Sequence, residues 1–161
     1  MDIPTSFVIS NTIALNIIVP SDKKTGVPLA RCVFLSPVGL IFSKREVHLD
    51  FVSIEVYPNF LITTIKEGVV FDTNELEIIY QVFENQFPNK DFGLIANRVH
   101  DYTVNPTCYL ESSKYKRLKA MAILCHEEAS YNNAQFEKTF YKDLEAFYTL
   151  EEAVAFISSK I

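Results

Sequence analysis

The sequence contains no tryptophan and only four glycines among its 161 residues. A phosphate-binding loop needs glycines so that the backbone can approach the phosphate closely, and neither the Walker A pattern nor G-x-G-x-x-G occurs. The G-x-S-x-G turn of hydrolases and the H-E-x-x-H helix of zinc proteases are absent as well. The sequence therefore gives no support to an enzyme, and we predict no catalytic residue, cofactor or metal.

Cysteine is also scarce. Cys32, Cys108 and Cys125 are odd in number and form no C-x-x-C pair, so a disulfide framework is not expected. No apolar run reaches the length that crosses a bilayer, and the first residues, MDIPTSF, lack the basic start of a secretory signal. These observations predict a cytoplasmic chain with reduced thiols and no membrane-spanning segment.

The remaining composition is typical of one globular domain. Thirteen Phe and eight Tyr favour a core that contains sheet as well as helix. Residues 1–46 carry five basic against three acidic side chains, whereas residues 47–161 carry ten against seventeen. An acidic main region argues against general binding to nucleic acids or anionic membranes. The basic cluster within residues 114–119 is interpreted as a solvated loop, with a phosphate patch as the alternative.

Residues 1–46 differ in pattern from the rest of the chain. Four of the seven prolines fall there and interrupt its apolar patches, and no helical period is visible. We interpret this region as an extension of uncertain order. The alternative is an added hairpin that covers a sheet edge, with a short strand at residues 13–19. The domain itself is predicted to span residues 47–161.

Strand and helix patterns alternate in that domain. Residues 51–57 alternate in polarity, and a Pro-Asn break predicts an antiparallel hairpin with residues 60–66. Asp72 and Glu75 have the spacing of a capping box at the start of an amphipathic helix, which Pro88 ends.

Apolar strands and helices continue to alternate after Pro88. The predicted strands are residues 92–96, 118–125 and 146–148, and the predicted helices start at Asn105, at Ser130 or Tyr131, and at Thr149. This order predicts an α/β fold with a mostly parallel sheet, to which the hairpin adds antiparallel strands.

Polar side chains follow two of the apolar strands. In open α/β sheets, sites form where the carboxyl ends of parallel strands meet. Residues 92–96 are predicted to be a buried strand that stops at an exposed polar pair. We call the polar residues predicted at this edge of the sheet the rim; they are Asn97, Arg98, His100, Asp101, Tyr102 and His126.

The rim leaves two interpretations of Arg98 open. An unpaired guanidinium would be a fork for an anion or a carboxylate. Alternatively, Arg98 pairs with an acidic neighbour while Asn97 and Asp101 hold the loop through side-chain to backbone hydrogen bonds. The histidines match no metal-binding spacing, and Cys125 and His126, as sequence neighbours on a strand, point to opposite faces.

Three stretches of the domain carry a family resemblance: FGLIANRVHDYTVNP, LKAMAILCHEEAS and FEKTFYKDLEAFYTLEEAVAFI. With the order of elements, they resemble the SpoIIAA-like (STAS/Sec14-type) small proteins common in Bacteroidetes, over about residues 47–161. The resemblance implies a four- or five-stranded sheet with about four helices, and most members of this branch have no assigned activity. STAS regulators are phosphorylated in a DSxG-type turn; the matching turn, residues 103–107, lacks that pattern, so we carry over no phosphosite.

The predicted function is a non-catalytic STAS-like interaction or regulatory domain, whose partner protein docks on the rim. The alternative, which the Sec14-type resemblance allows, is a module that binds a small apolar or lipid-like ligand between sheet and helices. An unassigned enzyme is the third interpretation. A homo-oligomer is compatible with the sequence, and no nucleic-acid partner is predicted.

Overall fold

The computed structural model describes residues 30–34 and 42–161, with side chains from residue 45 onwards. The strand predicted at residues 13–19 lies outside these ranges. Within them the chain forms nine strands and four helices. The strands are β1 Ala30–Phe34, β2 Phe42–His48, β3 Val52–Val56, β4 Phe60–Ile65, β5 Val70–Phe71, β6 Phe92–Arg98, β7 Thr103–Val104, β8 Leu118–Cys125 and β9 Leu144–Phe147. The helices are α1 Thr73–Gln86, α2 Thr107–Lys114, α3 Glu128–Glu137 and α4 Leu150–Ser158.

Seven of the strands form one mixed sheet in the order β1-β2-β3-β4-β6-β8-β9. The pairs from β1 to β4 are antiparallel, and β4, β6, β8 and β9 are parallel neighbours. Strands β5 and β7 form a separate parallel pair. The predicted fold class, an α/β sheet with antiparallel N-terminal strands and four helices, is confirmed.

The sheet has more strands than the four or five predicted. Strand β1 lies within the region interpreted as an extension, and β2 runs across the predicted boundary at residue 47. The described part of residues 30–46 therefore extends the sheet beyond β3. A strand as short as β1, with a proline at residues 28 and 37 on either side, carries too little periodicity to be recognised before its pairing partner is known.

The β3–β4 hairpin forms as the polarity pattern predicts. Val52, Ile54 and Val56 are fully buried, whereas the residues between them are half-buried. The two strands pair from Val52 opposite Ile65 to Val56 opposite Leu61, with Pro58 and Asn59 at the turn. One face of the hairpin therefore joins the main core.

Helix α1 begins with the predicted capping box. The Asp72 carboxylate accepts a hydrogen bond from the backbone N–H of Thr73 at 2.7 Å, and the Glu75 carboxylate accepts one from the Asp72 N–H at 3.0 Å. At its other end, the buried ring of Phe87 stacks on Phe92 with 4.7 Å between centroids. Aromatic packing therefore fixes the helix against β6.

The two faces of the sheet are covered unequally. Helices α1, α2 and α3 pack on one face, where the larger core cluster lies, and α4 packs on the other. Strand β8 serves both faces, since Met121, Ile123 and Cys125 join the larger cluster while Ala122 and Leu124 join the smaller one. Burial on both faces is typical of a central parallel strand, as predicted.

The ends of α3 differ from the prediction. The helix runs from Glu128 to Glu137 instead of continuing to Tyr141. Phe136 is 65% exposed, and its ring meets that of Phe140 edge-on beyond the helix. The two rings, four residues apart in the sequence, therefore form a local pair near the surface.

No helix in the described part of the chain is long and apolar enough to span a membrane.

We predict that Gly93→Ala destabilises the domain through overpacking. A Cβ atom at this position in β6 would lie 2.3 Å from Cγ2 and 2.9 Å from Cδ1 of the fully buried Ile157 in α4. The expected loss of unfolding free energy is about 1–3 kcal/mol, measured by urea denaturation. In a double-mutant cycle, Ile157→Ala should offset part of that loss, because it removes both clashing atoms. Strictly additive losses would contradict this packing.

We also predict that stability falls between about pH 10 and pH 12, in part through Tyr141. Its hydroxyl donates to the Leu118 carbonyl at 3.0 Å, and burial, together with Asp143 and Tyr80, raises the pKa of Tyr141 to about 12. An unfolded tyrosine has a pKa near 10. The folded state therefore keeps the Tyr141 proton to a higher pH than the unfolded state does. The stability that this contributes is fully present below pH 10 and is lost as the pH rises towards 12.

The check is urea denaturation of the parent chain and Tyr141→Phe across this range. The variant should be less stable at pH 8, because it lacks the hydrogen bond, and its stability should fall by about 1–2 kcal/mol less than that of the parent between pH 10 and pH 12. Parallel pH profiles would contradict the assignment.

Candidate functional site

The carboxyl ends of β4, β6 and β8 meet at one edge of the sheet, because these strands are parallel neighbours. A depression of about 200 Å³ opens there. We call it the rim depression; it is lined by Glu67, Arg98, Val99, His100, Asp101, Tyr102, His126, Glu127, Ala129, Ser130 and Asn133. Five of the six predicted rim residues are thus brought together, and the sixth, Asn97, bonds to one of them.

Asn97 connects β6 to β4 on one side and to the end of β8 on the other. Its amide nitrogen donates to the Thr64 hydroxyl of β4 at 3.2 Å, and its amide oxygen lies 2.8 Å from Nε2 of His126. The His126 side chain is exposed, and the amide contact positions its ring at the end of β8. Asn97 is half-buried and lies inside β6, so the predicted exposed pair after a strand ending at residue 96 is wrong.

Arg98, the other member of that pair, is also inside β6 and is largely buried. Its side chain is only 10% exposed, and Nη2 donates to a carboxylate oxygen of Glu137 at 2.6 Å and to the Tyr109 hydroxyl at 3.1 Å. The guanidinium lies over the ring of Tyr102, with 5.5 Å to its centroid. Arg98 is therefore paired with an acidic residue, as the second interpretation anticipated, and is no free anion fork.

The Tyr109 hydroxyl completes this cluster by donating to the same Glu137 oxygen at 2.6 Å. We call Arg98, Tyr102, Tyr109 and Glu137 the arginine cluster. Burial raises the pKa of Tyr102, and it raises that of Tyr109 well above the usual range, where the neighbouring Glu137 carboxylate acts in the same direction. Both phenols therefore stay neutral, and the cluster holds one positive and one negative charge.

The pKa of Arg98 shows which effect dominates in the cluster. Burial alone lowers it, but Tyr102, Tyr109 and Glu137 raise it above the ordinary value of an arginine. The neighbours of Arg98 therefore favour its charged form in spite of its burial. Its Nε atom is buried and has no hydrogen-bond partner among the described residues.

The loop that follows β6 is held by Glu67 and Gly68, which come just after β4. The Asp101 backbone N–H donates to the Glu67 carboxylate at 2.9 Å, and the Gly68 N–H donates to the Asp101 carbonyl at 2.8 Å. His100 Nδ1 lies 3.9 Å from the same carboxylate. The loop is thus braced through the backbone of Asp101, whereas the sequence suggested that the Asp101 side chain would do so.

A smaller cavity of about 60 Å³ lies between the sheet and helices α1 and α2. We call it the interior cavity. Its walls are mostly apolar and include Ile65, Phe83 and Ile123, while Arg98 and Tyr102 line it as well as the rim depression. The arginine cluster therefore separates an apolar interior from a polar surface.

The thiol and metal chemistry considered for this edge is not supported by the geometry. Cys125 is 1% exposed, and burial raises its pKa, so it is a poor source of thiolate. His126, its neighbour, is exposed and contacts Asn97 instead. Within residues 42–161, no three His, Cys, Asp or Glu side chains come together in a way that could hold a metal ion.

The predicted rim did not include Glu67, Glu127 or Glu137. The place of Glu67 could have been predicted from the sequence, because the pairing of β4 with β6 brings the end of the hairpin to the same edge. Glu127 comes two residues after β8, at the N-cap position of α3, and its side chain makes no capping hydrogen bond. Glu137 lies 39 residues from Arg98 in sequence, and no local pattern marks it as the partner.

No family model matches this chain, and no curated protein matches it. Among solved structures, it is similar to the crystal structure of an uncharacterised protein of the DUF3478 family with a SpoIIAA-like fold, from Shewanella loihica PV-4. The two chains are 14% identical, the match covers 66% of this chain and 91% of that one, and the TM-score is 0.46. The fold named there is the one expected from the sequence; the narrower placement among Bacteroidetes proteins stays a prediction.

We predict that Glu137→Ala destabilises the domain by about 3 kcal/mol, because it leaves the buried Arg98 charge without its carboxylate. The matched control is Glu145→Ala, which removes the more exposed pair with Lys138 at 2.7 Å and should cost about 0–1 kcal/mol. Urea denaturation at pH 7 measures both. Replacing both partners, as in Arg98→Met/Glu137→Leu, should recover much of the loss. Equal losses of unfolding free energy for Glu137→Ala and Glu145→Ala would contradict the buried pair.

Proposed function

We propose that this chain is a non-catalytic interaction domain that docks a partner protein on the rim. The observation that carries the proposal is the rim depression itself, an open polar hollow at the joined carboxyl ends of β4, β6 and β8. Loops placed by a rigid sheet are where binding surfaces commonly occur.

The rim is held in one arrangement before any partner arrives. Backbone bonds tie Asp101 to Gly68, and Thr103 to Val69, while Asn97 fixes the position of His126. A surface that needs little ordering on binding keeps more of its contact energy as affinity. This bracing supports docking over a loop that orders only when bound.

Exposed apolar side chains at this edge of the sheet supply contact area. Val99, which lines the depression, is 54% exposed. Tyr148 is 52% exposed and comes just after β9, the parallel neighbour of β8. The Tyr148 ring stacks on Tyr131 of α3, with 4.7 Å between centroids. Rigid aromatic rings next to polar groups are the composition that protein interfaces favour.

The apolar-ligand alternative is weaker because of the size of the interior cavity. A drug-sized or lipid-like ligand needs roughly 300–1,000 Å³, whereas this cavity measures about 60 Å³. Sheet and helices would have to separate before such a ligand could enter. The packed core therefore favours the interaction domain.

An enzyme gains little support from the same geometry. His100 and His126 both line the rim depression, but His126 contacts an amide and His100 lies near a carboxylate. Neither contact activates a nucleophile, because nucleophilic catalysis needs a base within hydrogen-bond reach of a hydroxyl or thiol.

The test is site-specific photo-crosslinking in native host cells. A benzophenone amino acid replaces Val99 on the rim or, as the control, Ile78, which is 41% exposed on α1. We expect one discrete crosslinked partner from position 99 and none from position 78, followed by mass spectrometry to identify it. Identical products from both positions, or none from position 99, would remove the rim as the docking surface.

Arg98→Ala is a poor choice for this test. Since Arg98 holds Glu137 and Tyr109, its loss would disturb the fold as well as the surface. Variants at exposed rim positions keep stability and docking separate.

A further inference from the structure

A second depression, of about 230 Å³, lies at the edge of the sheet opposite the rim, where the parallel neighbours β8 and β9 begin. We call it the basic depression; its charged and aromatic lining residues are Tyr115, Lys116, Lys119, Tyr141, Lys142 and Asp143. Three lysines against one aspartate give the lining a net positive charge, although the whole chain carries a net charge of −5. Positive charge is therefore concentrated in one hollow of an acidic protein.

The lysines come from two segments that only the fold brings together. Lys116 and Lys119 belong to the basic cluster that the sequence places before β8, whereas Lys142 comes just before β9. The other two cations of that cluster, Lys114 and Arg117, form ion pairs with glutamates that do not line the depression. The cluster is therefore divided between surface ion pairs and this hollow.

Lys116 and Lys142 have no anionic partner in the part of the chain whose side chains are described. Carboxylates are not in short supply, because residues 47–161 carry seventeen acidic against ten basic side chains. Six other lysines and arginines of the described part do form ion pairs. Two ammonium groups without counter-ions therefore line the same depression.

The acidic residues nearby do not cancel this charge. Asp143, the one acidic residue of the lining, pairs at 3.0 Å with Lys160, which does not line the depression. Lys119 in turn pairs with Asp91 at 3.3 Å. The lining therefore keeps two positive charges that no described carboxylate balances.

Two tyrosines give the depression fixed walls. The Tyr141 hydroxyl donates to the Leu118 carbonyl at 3.0 Å, and the Tyr115 ring stacks on Tyr80 with 5.0 Å between centroids. The Tyr115 hydroxyl also donates to the carboxylate of Glu84. A site whose walls need little ordering keeps more of its contact energy as affinity.

We propose that the basic depression binds the phosphate group of a small phosphorylated ligand, independently of docking on the rim. A phosphate monoester carries a charge of about −1.5 to −2 at pH 7, which matches the two unbalanced lysines, whereas a carboxylate supplies a single negative charge. Lysine binds phosphate as a point charge, while bidentate recognition of a carboxylate is typical of arginine. The volume of about 230 Å³ is below the usual range for a drug-sized ligand and agrees with a small ester.

The surrounding charge favours a small ligand over a nucleic acid or an anionic membrane. The carboxylates of Glu84 and Asp91 contact residues of the lining, and the chain as a whole is acidic. An extended polyanion would meet these negative charges as well as the lysines, whereas a single phosphate group meets the lining alone.

The experiment is an NMR titration of the full chain at pH 7, followed through backbone amide shifts. The probes are methyl phosphate and methyl sulfate, which have the same tetrahedral shape but differ in charge. We expect methyl phosphate to shift amides of residues 113–119 and 141–143. Methyl sulfate should bind at least about fivefold more weakly, because it carries a single negative charge.

Two further probes distinguish the sources of the phosphate group. We expect inorganic phosphate to shift the same amides as methyl phosphate. We expect vesicles of equimolar phosphatidylcholine and phosphatidic acid to sediment no more of the protein than vesicles of phosphatidylcholine alone. Sedimentation with the phosphatidic acid vesicles, without binding of either free anion, would overturn the small ligand and assign a lipid headgroup instead.

Matched charge variants complete the test, at an ionic strength of about 0.1 M, where charges more than about 10 Å away are screened. Lys116→Gln/Lys142→Gln should weaken binding of methyl phosphate at least about fivefold. The control, Lys66→Gln/Lys138→Gln, removes the same net charge from lysines that bond to oxygens outside the depression, and should leave the affinity unchanged. Equal affinities for methyl phosphate and methyl sulfate, or equal losses in the two double variants, would overturn the inference.

Discussion

The ion pair between Arg98 and Glu137 determines how this edge of the domain is built. Arg98 ends β6 and Glu137 ends α3, while Tyr109 from α2 bonds to both of them. A charge pair at this depth stabilises the fold only when its remaining polar groups are satisfied, and the cluster meets that condition except at one nitrogen. With Tyr109, the pair therefore joins β6, α2 and α3, and it leaves the buried Nε–H of Arg98 without an acceptor among the described residues.

The same pair decides the sign of the surface. A free arginine would have made the rim a site for anions, and that was one of the two interpretations of the sequence. Because Glu137 neutralises Arg98 from inside, the charges that reach solvent are those of Glu67, Asp101 and Glu127. The electrostatic character of the site is thus set by a residue that does not line it.

Local patterns explain why so much of the fold was predictable. The capping box of α1, the alternation of β3 and the continuous apolar run of β8 each follow from residues within a few positions of one another. The contacts of the arginine cluster join residues that are far apart in the chain. The pairing of β2 with β3 follows from a strand whose periodicity is weak. Both are therefore visible only in the folded structure. The parallel order of the strands predicts that their carboxyl ends meet at one edge, whereas no local pattern indicates which residues across the fold contact Arg98.

The two hollows on either side of the arginine cluster have different consequences for function. The interior cavity is apolar and small because the aromatic side chains around Phe83 and Phe92 pack against one another, with 4.9 Å between these two ring centroids. The rim depression is polar and open because its lining comes from the end of β6, the loops after β4, β6 and β8, and the start of α3, which have no core to fill there. Binding inside the domain would require the core to be disrupted, whereas binding at the rim requires only that water be displaced. This difference in cost favours recognition at the surface for a domain of this construction.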